Sequence, residues 1–202
     1  MPSVSPVGPE DKQRYADILE EVASRLEAVK DLLAAGDAGL ANIELSALHL
    51  RKIIELVVMG SLVTNRTEIE ALAKALQRKK VREAQELAKA ANPDYWPKGT
   101  RPFAGTSGPV EIQAVEGAWR EDEWSTVYGH LSELLHARNP YKKPIDMPKE
   151  RTWLCETRDK VIKLLEHHLV TLVNRDHMLV GRLLFDAKEV EVVTLERLPS
   201  SG

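Results

Sequence analysis

Cys155 is the only cysteine in the chain, which excludes an intrachain disulfide and any thiolate metal cluster assembled within one copy. A reducing compartment, the cytoplasm, is the expectation that follows. Long apolar runs are missing too. The longest, residues 53–59, is interrupted by Glu55 and falls far short of the roughly 20 residues that span a bilayer, so no membrane partner is expected. Residues 1–10 carry neither a basic n-region nor an apolar h-region, and they do not read as a signal peptide. Charge of one sign is also lacking. The 28 basic side chains stand against 31 acidic ones, a net charge of -3, which argues against a broadly basic nucleic-acid surface.

What is present is the composition of a globular chain: 202 residues, 43% hydrophobic and 29% charged. That is one domain of comfortable size, able to bury a core without staples. Tyr15, Ile18, Leu19, Val22, Leu26, Val29, Leu32 and Leu33 recur at helical spacing and predict a helix over residues 11–35. A second helix over 40–63 carries Ile43, Ala47, Leu50, Ile54 and Val57 and is the most apolar. Thr67 and Glu70 have capping-box spacing at the start of a third helical region, 68–91, with a break at 77–80. Residues 92–117 are dense in proline and glycine and predict a long loop, part of which packs down through Tyr95, Trp96 and Phe103. A helix over 120–137 stops at Asn139-Pro140, and a fifth spans 150–174. Residues 177–185 and 190–195, rich in valine and leucine, predict two strands joined by a turn.

The fold class expected from these segments is mainly α, an antiparallel helical bundle with a C-terminal β-hairpin. Its divisions are a disordered N-terminus at 1–10, a single helical domain at 11–197 and a disordered tail at 198–202. The second, fourth and fifth helices form the centre.

Candidate functional residues cluster in two places. Tyr128, Ser132 and His136 are four residues apart and form a polar stripe beside the apolar one, with Arg138 and Asn139 following at the helix end. A catalytic reading makes His136 a general acid or base and Arg138 an anion stabiliser. A structural reading makes Ser132 and His136 hydrogen-bonding residues that fix the helix against its neighbour. In the second helix, Arg51 and Glu55 have the spacing of an ion pair within an apolar segment. Buried there, they need further hydrogen bonds, which the Tyr128, Ser132, His136 stripe can supply. One internal network of these five residues is the resulting expectation.

Metal ligation is not expected: His130 and His136 point apart on a helix, adjacent His167 and His168 cannot both face one interior site, and no His-Glu-x-x-His motif occurs. Gly105 to Gly108 lacks the lysine and the strand-to-helix context of a phosphate loop, and no cofactor is expected. The basic runs around Arg78 and around Lys142 and Lys143 read as solvated surface.

The order of long helices, the segment Leu50-Arg51-Lys52-Ile53-Ile54-Glu55 and residues 128–140 together resemble the HEPN-like superfamily of helical domains. That group includes ribonuclease toxins, antiviral defence proteins and non-catalytic nucleotide-binding or dimerising modules. The resemblance implies a helical fold and a homodimer. Its ribonucleases use an arginine followed a few residues later by a histidine, and this chain departs from that pattern. Arg138 follows His136, Arg175 is separated from His177 by one residue, and Arg158 lies nine positions before His167. The functional expectation is therefore a non-catalytic interaction or regulatory module, homodimeric and open to a protein partner. The alternative is a metal-independent ribonuclease or nucleotide-binding defence protein, with RNA or a nucleotide as ligand.

Overall fold

A computed structural model describes residues 7–35, 39–64, 66–78, 81–102, 112–137, 141, 143–172, 177–184 and 189–196. Helix α1 (Pro9–Ala34) starts on a glycine cap with proline in its first turn and Glu10 and Asp11 next to the positive end of the helix dipole. It pairs antiparallel with α2 (Leu40–Gly60), because the start of one meets the end of the other: a Cβ on Gly60 would lie 2.9 Å from the Tyr15 ring. Helices α3 (Arg66–Gln77) and α4 (Val81–Ala91) follow, separated at the predicted break. Thr67 falls inside the first turn of α3 rather than at its cap, and its side chain lies outside the described residues.

Helices α5 (Trp124–Leu134) and α6 (Met147–Leu165) complete the helical part. Asp146 caps α6 by accepting a hydrogen bond from the Lys149 amide at 3.1 Å. The main core lies where the buried stripes of α1, α2, α5 and α6 meet. It is extended by aromatic side chains of the loop: Trp96 stacks on Trp124 at 6.4 Å and meets Trp119 edge-on at 5.5 Å. Trp124 Nε1 donates to Tyr95 Oη and Trp96 Nε1 to the Trp119 carbonyl, which pins the loop to the bundle. Phe103 lies outside the described residues.

The expected helical bundle with a terminal hairpin needs correction. Among the described residues there are six helices and a four-stranded antiparallel sheet in the order β1-β2-β3-β4. The strands are β1 (Lys98–Gly99), β2 (His167–Thr171), β3 (His177–Leu184) and β4 (Glu189–Glu196). The two predicted terminal strands are thus part of a larger sheet.

The error arose in the fifth predicted helix, which ends at Leu165 rather than running to Asn174. Leu164, Leu165, Leu169 and Leu172 keep helical spacing, yet the chain extends at His167 because β2 is an interior strand between β1 and β3. Such a strand is covered on both faces and reads as a continuous apolar run without alternation. Glycine suits the close approach of β1 to α6: a Cβ on Gly99 would lie 3.0 Å from the Lys163 carbonyl, a tight contact.

A second, smaller core fills the space between α1 and the sheet, from Tyr15, Leu19, Val63, Val170, Leu172 and Leu179. No helix of the described residues is long and apolar enough to cross a membrane. Residues 1–6 of the tail predicted at 1–10, the tail at 198–202 and the turn around Asp186 lie outside the described residues, whereas Pro9 and Glu10, expected in that tail, open α1.

Candidate functional site

Helix α5 crosses α2 so that Tyr128 stands over the Arg51–Glu55 turn. The Tyr128 hydroxyl donates to Glu55 Oε1 at 2.8 Å and accepts from Arg51 Nε at 2.8 Å. Glu55 Oε2 accepts from Lys52 Nζ, also at 2.8 Å, and Arg51 Nε is 3.5 Å from Glu55 Oε1. The Arg51 guanidinium carbon lies 4.7 Å from the centre of the Tyr128 ring, close enough for a cation–π attraction. Both carboxylate oxygens and the hydroxyl are therefore engaged. Burial, and then the carboxylate it donates to, push the Tyr128 pKa up to about 12, so the phenol remains a donor near neutral pH.

The network is buried at one end and wet at the other. Tyr128 is 1% exposed, whereas the Lys52 side chain is 48% exposed and that of Arg51 18%. Its open rim is cationic. Desolvation of the carboxylate is offset by two cations and a hydroxyl, the condition under which a buried charge is tolerated.

Three of the five residues expected to converge do so. Ser132 does not join: its hydroxyl turns back to the Tyr128 carbonyl of its own helix at 2.8 Å, a common use of a mid-helix serine. His136 also stays out. The helix ends at Leu134, and the amides of Leu135 and His136 bond the carbonyls of Ser132 and Glu133, three residues back. That tighter turn rotates His136 off the stripe and leaves it exposed. Among the described residues no hydrogen bond or ion pair reaches its imidazole. Arg138 and Asn139 lie outside the described residues.

A second grouping went unnoticed in the sequence. His130 Nε2 and Glu150 Oε2 are 2.8 Å apart, and the His130 ring meets the Trp153 ring edge-on at 4.3 Å. With Thr126, Val127 and Lys149 they line a groove of about 300 Å³ between α5 and α6. Glu150 and Trp153 share a face at helical spacing, but nothing local connects them with His130, twenty residues earlier.

A fully buried polar pair was also missed as a partnership. Tyr15 Oη lies 2.6 Å from His168 Nε2, and His168 Nδ1 lies 2.9 Å from the Leu165 carbonyl. A carbonyl only accepts, so Nδ1 carries the proton and Nε2 accepts from the tyrosine. Burial holds the His168 pKa down at about 4 and raises that of Tyr15. Its neighbour His167 pairs through Nδ1 with Thr100 Oγ1 at 2.6 Å, tying β2 to the chain just after β1. The two adjacent histidines face different partners, each with a structural role. Comparison with protein-family models, with curated proteins and with solved structures finds no match to this chain.

Proposed function

We propose that the chain is a non-catalytic interaction module that works as a homodimer through the outer face of α2. One observation carries this reading: α2 is apolar on two sides. Its inner stripe fills the main core, while Leu45 and Leu48, on the opposite face, are 45% and 40% exposed. A helix that is apolar on both sides asks for cover on both.

The second copy is the occupant that charge favours. A two-fold axis at Leu48 brings α2 antiparallel to itself and sets Glu44 against Lys52 of the other copy, a complementary pair, with leucine against leucine at the centre. The polar network behind this face has its carboxylate and hydroxyl already occupied, which suits a scaffold rather than a reacting centre. The single cysteine fits a reducing compartment, the cytoplasm. Sedimentation at several micromolar concentrations tests the proposal: dimer is expected, and Leu48→Glu, which places two carboxylates at the axis, is expected to give folded monomer. A monomeric parent protein, or an unchanged dimer in the variant, overturns it.

A second reading, nucleotide or RNA binding, is supported by the α5–α6 groove, where the Trp153 indole offers a stacking face and Lys149 a cation for phosphate. Quenching of tryptophan fluorescence by adenosine monophosphate or a short single-stranded RNA, lost in Lys149→Ala, is the expected result on that reading. The ribonuclease alternative has less support, since nothing within the described residues brings a second reacting group to His136.

A further inference from the structure

The sheet ends differently at its two edges. At one edge β1 is two residues long and carries Lys98, a short charged edge of the kind that resists further pairing. At the other, β4 is eight residues long, pairs with β3 in unbroken register, and contains no proline or lysine. Among the described residues nothing pairs with its outer side.

Its open groups can be assigned. Leu183 N–H reaches the Glu166 carbonyl and Leu172 N–H reaches the His177 carbonyl. The odd-numbered residues of β3 therefore bond β2, and the even-numbered ones exchange bonds with Glu189, Glu191, Val193 and Leu195 of β4. This leaves the amides and carbonyls of Val190, Val192, Thr194 and Glu196 pointing away from the sheet.

Beside that edge lies a groove of about 530 Å³, lined by Val190 and by the α1 residues Glu20, Ala23, Ser24, Glu27, Ala28 and Asp31. Its small side chains leave room, and its charge is of one sign. Glu27 already holds Lys30 at 2.7 Å, whereas Glu20 and Asp31 have no ion pair within the described residues. The outer face of β4 adds Glu189 and Glu191; Arg182 sits opposite Glu191 at 3.4 Å, an exposed pair that neutralises little.

We infer that the β4 edge and the adjoining α1 groove form a docking site for a basic, extended segment of a partner protein, which adds to the sheet as a fifth, antiparallel or parallel strand. Main-chain bonds to Val190, Val192 and Thr194 supply affinity, and lysine or arginine side chains at every second position, all on the α1 face of the added strand, meet Glu20 and Asp31. Carboxylates on the edge disfavour a second copy of β4 as the occupant, because self-pairing would bring the glutamates of both copies together. The site is separate from the α2 face.

The test uses the full chain and a synthetic peptide that alternates lysine and valine, with the same peptide N-methylated on every second residue so that one edge cannot donate. The unmodified peptide is expected to bind and to slow amide exchange at Val190, Val192 and Thr194, but not at Glu191 or Val193. N-methylation, and separately the double variant Glu20→Lys, Asp31→Lys, are each expected to weaken binding about tenfold, roughly 1.4 kcal/mol. Equal binding of the N-methylated peptide would reduce the contact to charge alone and overturn the inference, as would exchange protection elsewhere. The Leu48→Glu variant separates the two proposals, since it removes the α2 dimer without touching β4. Any dimer that survives in that variant and is lost on Val193→Lys would assign the edge to a second copy and also overturn the inference.

Discussion

Two tyrosine hydroxyls anchor the polar interior of this protein, and they are set in opposite ways. Tyr15 and His168 are 3% and 0% exposed and meet as neutral groups between α1 and the sheet. Tyr128 meets a carboxylate and an arginine whose far end reaches solvent between α2 and α5. A dry, uncharged pair is bound to its geometry, since neither partner can find water if the other is removed. A charged cluster with a wet rim can relax toward solvent, and it keeps cations where another molecule can meet them. The first pair should therefore be brittle and the second tolerant.

The largest effect is expected at Gly181. A Cβ there would overlap Cε1 and Nε2 of His168 and lie 3.1 Å from Leu19 Cδ1. The ring cannot swing aside without losing both hydrogen bonds, so Gly181→Ala combines overpacking with two broken polar contacts. A loss of at least about 3 kcal/mol in urea unfolding is expected. A change under about 1 kcal/mol would show that the ring has space to move.

Acid should find the same pair next. His168 titrates at about 4 in the folded chain and at about 6.5 when unfolded. Below the unfolded value only the unfolded state takes the proton, so stability is full above about pH 6.5 and falls until the folded value is reached. The loss amounts to about 3 kcal/mol, on the order of 1.4 per pH unit. Burial lowers His49 and His167 as well, which adds to the slope with the same sign. Tyr15→Phe alone should cost about 1 to 3 kcal/mol by stranding Nε2, whereas the double variant with His168→Leu should recover much of that and flatten the acid slope. A slope unchanged in the double variant would place the titration elsewhere.

At the wetter cluster, Glu55→Gln removes the charge that Lys52 and Arg51 answer while keeping an acceptor for Tyr128. The expected loss is about 1 to 3 kcal/mol, smaller than at Gly181 because Lys52 can turn to water. Equal or greater sensitivity here than at Gly181 would reverse the comparison.

The sequence made one of these regions visible and hid the other for physical reasons. Arg51 and Glu55 stood out because charges four residues apart inside an apolar helix need a partner, and Tyr128 was the nearest group on a facing helix. The helices of the bundle were legible for the same reason, through long stripes with one period. His168 offered no such sign. Its partner is 153 residues away, and the strand that carries it keeps leucines at spacings that also suit a helix. The two residues of β1 are too few to show any period, and the Lys163 carbonyl that approaches Gly99 closely belongs to another element. Local periodicity therefore gave the helices, and the pairing of distant segments that makes the sheet had no local trace.

The smallest effect is expected at His136, the stripe residue that joined neither region. Its place on the stripe assumed a regular helix to residue 137, but α5 tightens after Leu134 and the side chain is exposed. With no described partner to lose and no cavity to leave, His136→Ala should change unfolding free energy by less than about 0.5 kcal/mol. Incubation of RNA with the purified protein in chelator, beside the variant, gives the matching functional readout: no His136-dependent cleavage is expected, because a general base needs a second group within reach of the proton it moves. A stability loss above about 1 kcal/mol would mean that His136 holds the end of α5 after all. Cleavage abolished by the substitution at unchanged stability would restore the catalytic reading and make the residues that follow, Arg138 and Asn139, the next to replace.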